Sequence, residues 1–577
     1  MNKLIFVSGG VCSSLGKGVA ASSLGALLES RGLNVRMMKC DPYINVNAGN
    51  QSPYVHGEIF VTDDGAQTDL DLGTYSRFTS GQLSQANSIT TGQVYDSVIR
   101  KEREGRYRGR CIQVIPHITD EIKSRILAVA HEDPDTDIVI VEIGGTVGDI
   151  ECIPFLEAAR QFIHEKGRSD AISVHLTLIP EVGGGELKTK PTQHSVKSMQ
   201  EQGIQPDILI CRSPVILDEA TRRKISLFTN IENDAVFTSV NVNTTIYEIP
   251  LMFYEQKLDQ VVLRKLGIES RHANIKPWKA VMDRVASRKG KVRIGIAGKY
   301  IEFHDAYKSV YEALFHASLE CGVDVELVKV DTAALEETGS ADSMLGKEAP
   351  GGGVDGILVP GGFGQRGTRG MILAAAWART NKIPYFGISL GMHIMVIEWG
   401  KNVLGWADAD STEFNKATSH PVISLLDEKA EYSPGQNSQQ TRGVKPPEQG
   451  EVSKVHEYLG HFARLGKYVS DVKSGTKLYA AYGVNRISER YRHSYEFSNQ
   501  FREDMVKSGL VIGALCSGKE ELGSLPAKDL VECVEWPDHP WGVGVQFHPE
   551  FKSKPTAASP LFREFITVCR DLKAARN

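Results

Sequence analysis

Short, almost wholly apolar runs that end in glycine or a turn residue are the feature that most restricts how this chain can fold. Four of them lie in the first half, at LIFVSGG (4–10), DIVIVEIGG (137–145), AISVHLTLIP (171–180) and PDILICRS (206–213). They lack polar alternation, which is typical of parallel strands covered by helices on both faces. Helix-length segments separate them, so the pattern predicts a doubly wound α/β domain.

The same pattern restarts at Val292 with VRIGIAGKY, followed by GILVPGGFG (356–364), IPYFGIS (383–389) and WGVGVQFHPE (541–550). The polar, basic stretch 270–291 separates the two series and is predicted to be a linker. We therefore predict two doubly wound α/β domains, 1–269 and 292–577, because 577 residues exceed what one core usually serves. A segment rich in Pro, Gly, Gln and Ser at 431–451 is predicted to be a mobile surface loop.

Composition and charge exclude several classes of protein. Hydrophobic residues make up 41% and charged residues 24%, as in soluble globular proteins, and a net charge of -5 gives no footprint for nucleic acid. The nine cysteines form no C-x-x-C pair, which argues against a disulfide framework or zinc site and indicates a reduced, intracellular protein. With no signal peptide and no long apolar stretch, the sequence predicts a cytoplasmic location and no membrane contact.

The loop GGVCSSLGKG (9–18) follows the first apolar run and precedes a helix-length segment. A glycine-rich loop in this place directs backbone N–H groups and a helix N-terminus at phosphate oxygens, and Lys17 adds a positive charge. It departs from the usual P-loop, because five residues instead of four separate Gly10 from Gly16 and because Gly18 stands where Ser or Thr is usual. The alternative is a plain glycine turn with a solvated lysine.

Three downstream segments favour the phosphate site. Asp69 and Asp71, two residues apart, would point the same way along an extended segment, and Glu142 ends a predicted buried strand. A carboxylate at that end of a parallel strand faces the ligand crevice, as a Mg²⁺ ligand should. Lys188 and Lys190 flank a threonine before a proline-set turn. Together these segments predict an ATP-dependent, Mg²⁺-dependent reaction on a second phosphorylated substrate.

Several long strings in this half, among them SGGVCSSLGKG, HGEIFVTDDGAQTDLDLG, VEIGGTVGDIE and KTKPTQHSV, resemble the CTP synthase family from about residue 1 to 265. The resemblance implies a P-loop-like, dethiobiotin-synthetase-like synthetase domain. It also implies a ligase that uses ATP to aminate UTP: O4 of the uracil is phosphorylated, ammonia displaces the phosphate, and CTP is formed. One departure is Asn47, which stands where the family has an aspartate.

The resemblance also implies site residues. ATP would be contacted by Ser13, Ser14, Leu15, Gly16, Lys17, Gly18, Asp71, Arg212 and Asp305, with Lys39 near the transferred phosphoryl group. UTP or the inhibitor CTP would be contacted by Ser13, Asp149, Glu151, Lys188, Lys190, Gln193 and Lys224. Mg²⁺ would be held by Asp71 and Glu142, and His56 would gate the passage of ammonia.

The second domain contains Gly387-Ile388-Ser389-Leu390-Gly391, the G-x-S-x-G turn that presents a nucleophilic serine in α/β-hydrolases. In those enzymes the acidic residue precedes the histidine along the chain, whereas here His548 precedes Glu550. That order, with VPGGFGQRG upstream, resembles a flavodoxin-like class I glutamine amidotransferase. Its nucleophile is a cysteine, so Ser389 is a replacement. The resemblance implies that the backbone N–H groups of Gly362 and Leu390 form the oxyanion hole.

Other positions of this domain depart from the family as well. Ser494 stands where an arginine would hold the glutamine carboxylate, and His393 stands where the family has a glutamine. Arg464 is what is left of a segment that the family links to activation by GTP, and Arg366 lies in the lid-like loop. Glu413 is retained and would contact the amine of glutamine. A serine hydroxyl is a far weaker nucleophile than a thiol. We therefore predict that glutaminase activity is weak or lost, with free ammonia, ammonia from a partner protein or another amine as donor.

The resemblance further implies a homotetramer, filaments and GTP as an allosteric activator. Two alternatives stay open at this stage. The first is a relative of the same fold with a different nucleotide acceptor or amine, which Asn47 and Asn50 motivate. The second is a non-catalytic nucleotide-binding regulator. Retention of Lys17, Asp71 and Glu142 argues against the regulator, and serine esterase activity is the weakest interpretation of Ser389.

Overall fold

The computed structural model of the chain describes residues 2–46, 48–269, 271–349, 351–425, 464–518 and 529–576. They form two compact units. The first consists of 1–48 and 68–286, and the second of 49–67 and 287–577. The predicted mobile loop at 431–451 lies outside the described residues, as does Asn47.

The first unit is built on one seven-stranded sheet. Its strands are β1 (Lys3–Gly9), β2 (Val35–Asp41), β3 (Ser88–Thr90), β4 (Ile138–Ile143), β5 (Ala171–Leu178), β6 (Ile208–Ser213) and β7 (Val236–Val240). Their order in the sheet is β7-β6-β5-β1-β4-β2-β3, and every neighbouring pair is parallel. The strand order reverses beside β1, which is where ligands bind in open α/β sheets.

Nine of the ten α-helices in the described part of this unit lie within residues 17–265. They are α1 (Lys17–Ser30), α2 (Leu70–Phe78), α3 (Thr91–Arg103), α4 (Thr119–His131), α5 (Ile153–Lys166), α6 (Lys190–Glu201), α7 (Glu219–Thr229), α8 (Ile249–Glu255) and α9 (Leu258–Lys265). The core on one face joins strand residues such as Phe6 and Val141 to Ile126 of α4 and Phe162 of α5. The alternate strand residues, such as Ile5 and Ile140, are equally buried. The sheet is therefore covered on both faces, as its apolar strands predict.

The second unit contains a nine-stranded sheet. Its strands are β8 (Lys291–Gly298), β9 (Asp324–Asp331), β10 (Gly356–Val359), β11 (Tyr385–Ile388), β12 (Arg464–Val472), β13 (Arg486–His493), β14 (Val511–Gly518), β15 (Val531–Glu535) and β16 (Gly542–Val545). The order is β9-β8-β10-β11-β16-β15-β14-β12-β13. The first five of these are parallel, and the remaining four continue the sheet antiparallel. The apolar runs predicted four of the five parallel strands, but neither β9 nor the antiparallel half was predicted.

The longer helices of the second unit form two apolar layers with this sheet. They are α11 (Lys308–Cys321), α12 (Thr332–Thr338), α13 (Thr368–Thr380), α14 (Leu390–Asn402) and, at the end of the chain, α17 (Pro560–Arg576), with the short α15 (Lys477–Tyr482) and α16 (Arg502–Lys507) before it. Phe386 of β11 belongs to the layer with α11 and α17, whereas its neighbour Tyr385 belongs to the layer with α13 and α14. A small sheet of Asp410–Ser411, Pro421–Leu425 and Tyr495–Phe497 lies beside the main one.

Two predicted boundaries differ from the structure. The predicted linker 270–291 contains a helix, α10 (Lys276–Ser287), most of which belongs to the first unit. Trp278 of α10 is buried there, and its ring stacks on Phe78 at 5.5 Å between centroids. The second difference is that residues 49–67, predicted to be part of the first domain, pack with the second unit. No helix among the described residues is long and apolar enough to cross a membrane.

Candidate active sites

The loop between β1 and α1 has the backbone of an anion-binding site. Val11, Ser14 and Gly16 have positive φ angles, and no side chain caps the N-terminus of α1. The first N–H groups of α1 are therefore left for a ligand. A Cβ atom on Gly18 would lie 2.6 Å from Asp71 Oδ1. This contact explains the departure from the usual P-loop, since Ser or Thr at this position would collide with the aspartate.

Lys17, the first residue of α1, reaches across the loop. Its Nζ donates to the carbonyl oxygen of Gly145 at 2.8 Å, just after β4. Burial lowers the pKa of Lys17. The ammonium is thus held beside the glycine-rich loop, where an anionic ligand would be an additional partner.

Lys39 of β2 lies at the centre of a buried cluster of carboxylates. Its Nζ donates to Glu142 Oε1 at 3.1 Å and to Asp71, and lies 3.6 Å from Asp41 Oδ1. Burial opposes the charge on Lys39, but these carboxylates outweigh it and raise its pKa well above the usual value. Burial raises the pKa of Glu142, which also accepts a hydrogen bond from Tyr75, and raises that of Asp41 to about 8. Lys39 therefore remains a cation at neutral pH.

The predicted Mg²⁺ ligands fit a cation of this kind. Asp71 and Glu142 contact the same ammonium group, so their oxygens already converge on one positive charge, and carboxylate oxygens are the donors that Mg²⁺ prefers. In the part of the chain that the structure describes, no three His, Cys, Asp or Glu side chains form a ready-made metal site. Two protein ligands are enough for Mg²⁺, which usually keeps water and substrate phosphate as its other ligands.

The residues predicted to bind UTP lie on several surface segments of the first unit. Lys190 begins α6, and Gln193 Nε2 donates to Thr189 Oγ1 at 3.1 Å. Lys188 pairs with Glu186 at 2.6 Å. Asp149, Glu151 and Lys224 are exposed. These side chains are therefore accessible to a ligand.

Arg212, predicted to contact ATP, lies at the end of β6 beside the glycine-rich loop. Its guanidinium donates to the backbone oxygen of Leu15 at 3.0 Å and to Asn241 Oδ1 at 2.9 Å. Asp305, predicted to share this role, is an exposed residue of the second unit.

In the second unit, residues 49–67 are held by charged and aromatic contacts. Glu58 accepts hydrogen bonds from the backbone N–H and the hydroxyl of Ser309, the latter at 2.6 Å, and Asp63 pairs with Arg490 at 2.5 Å. Because Ser309 lies in the first turn of α11, the Glu58 carboxylate also faces the positive end of that helix. The predicted ammonia gate, His56, is half-buried in this segment.

Ser389 occupies a strained turn between β11 and α14. Its backbone has φ 51° and ψ −102°, an arrangement that L-residues adopt rarely and that presents the side chain at the strand end. A Cβ atom on Gly387 would lie 2.5 Å from Gly391, and one on Gly391 would lie 2.1 Å from the oxygen of Val359. Both glycines of the motif are therefore required by close backbone contacts.

His548 and Glu550 form the predicted dyad. His548 Nδ1 and Glu550 Oε1 are 2.7 Å apart, and Phe551 stacks on the imidazole. His548 Nε2 is buried and, among the described residues, has no hydrogen-bond partner. It therefore makes no hydrogen bond to the hydroxyl of Ser389, which is the contact that a working serine triad requires.

The loop that carries the predicted oxyanion donor is fixed by two groups. Lys299, which the sequence reasoning missed, donates to the backbone oxygens of Phe363 and Gly364, the former at 3.1 Å, and burial lowers its pKa to about 8. Glu413 accepts from the Gly364 N–H at 2.6 Å, and burial raises its pKa. These contacts fall on the two residues directly after Gly362 and hold its loop in place. Leu390, whose N–H is the second predicted donor, begins α14 directly after Ser389.

Arg464 does not fit the predicted contact to GTP. It is only 3% exposed and donates to Glu532 at 2.7 Å and to Glu496 at 3.0 Å. Burial opposes its charge, but the two glutamates raise its pKa well above the usual value. Arg464 is therefore a buried structural cation. Arg366, by contrast, lies in the loop itself and donates to the backbone oxygen of Lys299 at 2.5 Å.

Ser494, at the position of the family's arginine, lies in a bend after β13 and is half-buried. The neighbouring His493 pairs with Glu496 at 2.6 Å, and His393 pairs with Gln546 at 2.9 Å. His393 is therefore part of the buried packing behind Ser389. Lys299, Asp41 and Tyr75 are the additions that the structure makes to the predicted sites. Only their position beside predicted residues in space identifies them.

Comparisons with known proteins agree with this architecture. Residues 3–268 match the model of the CTP synthase N-terminus, and residues 302–568 match that of class I glutamine amidotransferases. A CTP synthase from Geobacter sulfurreducens is 50% identical over 100% of this chain and 99% of its own length. One from Nitratidesulfovibrio vulgaris is 46% identical over 100% of both.

Among solved structures, the glutaminase domain of a Trypanosoma brucei CTPS with bound acivicin is 33% identical. It covers 48% of this chain and 94% of that one, with a TM-score of 0.37. The full-length sequence similarity to the bacterial relatives is decisive: the chain belongs to the CTP synthase family of ATP-dependent, C–N bond-forming ligases.

Proposed function

We propose that this chain aminates UTP to CTP at the expense of ATP and takes its nitrogen from ammonia rather than from glutamine. The first part follows from family membership and from the Lys39 cluster beside the glycine-rich loop. The observation that carries the second part is that a serine, Ser389, stands at the nucleophile position without a hydrogen bond from His548 Nε2.

The side chains of the first unit suit a phosphoryl transfer from ATP to O4 of UTP. The transferred group carries its charge on three oxygens, and positively charged groups held in place lower the barrier. Lys17 and Lys39 are such groups, since both are held by backbone or carboxylate contacts before any ligand arrives. Mg²⁺, if held by Asp71 and Glu142, would neutralise further phosphate charge.

The second step replaces phosphate by nitrogen. Ammonia attacks C4 of the phosphorylated uracil, the C–O bond breaks, inorganic phosphate leaves, and the nitrogen loses a proton to give CTP. Lys188, Lys190, Gln193 and Lys224 would bind the triphosphate and base of UTP, and Asp149 and Glu151 the pyrimidine nucleotide. His56 would control the access of ammonia.

The hydroxyl of Ser389 lacks what a serine nucleophile needs. A serine becomes reactive when a hydrogen-bonded base removes its proton, and this base is present but not engaged. The substrate side is incomplete as well, because the short Ser494 side chain has no charge with which to hold a carboxylate. Ammonia, either free or delivered by a separate protein, therefore replaces glutamine as donor.

The assembly and location proposed for the enzyme follow the family resemblance. Apolar side chains of the first unit such as Ile44, Ile99, Ile115 and Ile150 are exposed, which suits contacts between subunits of a homotetramer and of filaments. We propose that the enzyme works in the cytoplasm and that GTP, if it activates, acts near Arg366.

The test compares two nitrogen donors. CTP formation is followed with ATP, Mg²⁺ and UTP, and with either ammonium chloride or glutamine at equal concentration. We expect CTP from ammonium and less than about 1% of that rate from glutamine, since a missing general base alone costs about 10²-fold or more. Ser389→Ala is the matched control, and it should leave both rates unchanged. Equal rates from the two donors contradict the ammonia proposal, and absence of UTP-dependent ATP consumption contradicts the whole function.

A further inference from the structure

A fully buried histidine in the first unit has no part in the proposed chemistry, yet it joins two elements that carry it. His175, in the middle of β5, is 0% exposed. Its Nδ1 lies 2.9 Å from Ser8 Oγ, and its Nε2 lies 2.8 Å from Ser195 Oγ. Ser8 is on β1, directly before the glycine-rich loop, and Ser195 is on α6.

The glycine-rich loop and α6 also touch each other at this point. A Cβ atom on Gly10 would lie 1.8 Å from Ser195 Oγ and 3.3 Å from His175 Cε1. The hydroxyl of Ser195 therefore fills the space that a side chain on the loop would need. The imidazole packs tightly against both the loop backbone and α6, so a shift of α6 would displace the loop.

The charge state of His175 suits a fixed link. Burial, together with the nearby Lys17 ammonium, lowers its pKa to about 3, so the imidazole is neutral at physiological pH. A neutral imidazole donates one hydrogen bond and accepts one, and each serine hydroxyl can do either. Both ring nitrogens are thus satisfied without water or a charged partner, and the link does not change with pH near neutrality.

We infer that the Ser8–His175–Ser195 bridge is a positioning device that fixes the N-terminal part of α6 relative to the glycine-rich loop. This inference rests on the proposed function, in which α6 presents Lys190 and Gln193 to UTP while the loop holds ATP. The bridge sets the distance between the two nucleotides. An error of about 1 Å in such a distance can lower a rate about 100-fold.

Ser195→Ala is the most direct test, because it removes one end of the bridge and little volume. With ATP saturating and ammonium as donor, we expect kcat/KM for UTP to fall about tenfold or more, since one charge-neutral positioning contact is lost. Binding of an ATP analogue in the absence of UTP should change less than about twofold, because the loop itself is intact. A general loss of stability would not produce this difference between the two nucleotides.

Two further variants make the test specific. Combining Ser8→Ala with Ser195→Ala should cost much less than the sum of the single effects, since either change breaks the same bridge. Ser470→Ala is the matched control in the second unit. The Ser470 side chain is buried like those of Ser8 and Ser195, and its Oγ lies 2.9 Å from Tyr491 OH. Because Ser470 belongs to neither the glycine-rich loop nor α6, kcat/KM for UTP should stay unchanged.

The outcomes separate this inference from the proposed function. If the parent protein neither binds UTP in equilibrium dialysis nor consumes ATP with it, the proposed function fails. If the parent is active and folded Ser195→Ala has the parent's kcat/KM for UTP, the bridge does no positioning and the inference is overturned. Equal losses for UTP and for the ATP analogue also overturn it, because they indicate a structural role alone.

Discussion

Replacing Ser389 by cysteine should restore part of the glutaminase reaction. The turn that holds residue 389 has the backbone of a nucleophile elbow, and the dyad of His548 and Glu550 is assembled at 2.7 Å. The loop carrying Gly362 is fixed by Lys299. What is missing at this centre is a side chain that can lose its proton without a tight hydrogen bond to the histidine.

The size of the gain follows from that missing hydrogen bond. A positioned general base contributes about 10²–10⁴-fold to a rate, and this contribution is absent for a hydroxyl to which His548 Nε2 makes no hydrogen bond. A thiol with a pKa of about 8.5 is a few per cent ionised near neutral pH even without help, and a nearby imidazole increases that fraction. We therefore expect kcat for glutamine hydrolysis to rise about 10²–10⁴-fold in Ser389→Cys.

The affinity for glutamine should not recover with this change. Ser494 offers no charge to the substrate carboxylate, and a hydrogen bond to a charged group contributes about 1.5–3 kcal/mol. KM for glutamine should thus stay high in Ser389→Cys and fall about 10–100-fold when Ser494→Arg is added. The two substitutions separate the two defects, one in kcat and one in KM.

The assay measures glutamate release and CTP formation in parallel, with Ser389→Ala as control. All variants should keep the parent's ammonium-dependent rate, because the synthetase reaction belongs to the other unit. If Ser389→Cys releases no more glutamate than Ser389→Ala, the elbow and dyad are not competent and the reasoning is refuted. If the parent already hydrolyses glutamine as fast as the cysteine variant, the role given to the missing thiol is refuted as well.

Three other predictions concern buried ionisable side chains. Lys39→Met leaves Asp71 and Glu142 without their cation, so the free energy of unfolding should fall by about 3–5 kcal/mol when a chelator is present. Thermal unfolding should show partial recovery when Mg²⁺ is added, and no response to Mg²⁺ would count against the metal site. Because the pKa of His175 is about 3 in the fold and 6.5 in the unfolded chain, acid favours unfolding below pH 6.5. His175→Phe should remove about 1.4 kcal/mol per pH unit from that slope in denaturant titrations, and an unchanged slope contradicts the assignment. Arg464→Met leaves two buried glutamates without their cation and should lower the free energy of unfolding by about 3–5 kcal/mol. A stable variant that has lost only its response to GTP would instead support a role of Arg464 in GTP binding.

Local sequence was enough where the constraint itself is local. The apolar runs predicted four of the seven strands in the sheet of the first unit and four of the five parallel strands of the second, since burial on both faces requires continuous apolar residues. The spacing of the glycine-rich loop and of G-x-S-x-G predicted two tight turns, and both contain residues with positive φ angles, Ser14 in the first and Ser389 in the second. The antiparallel half of the second sheet was not predicted, because its strands carry polar and charged residues even at buried positions, as in SERYRH of β13.

Long-range neighbours could not be predicted from the residues themselves. Lys39 and Glu142 are 103 residues apart and meet because β2 and β4 are adjacent in the sheet. Arg464 has the charge of a ligand-binding residue, and only its position among two glutamates makes it structural. The packing of residues 49–67 with the second unit depends on pairs such as Asp63 with Arg490, which are 427 positions apart.

The sequence by itself thus determined the two α/β folds, the glycine-rich loop, the turn at Ser389 and the family, because each depends on consecutive residues or on long shared strings. Tertiary structure alone decided which charged side chains pair, that Ser389 has no hydrogen bond from His548, and that His175 links β1 to α6. The physical reason is that hydrogen bonds and ion pairs act over a few ångströms in space, and only the folded chain brings distant residues within that range.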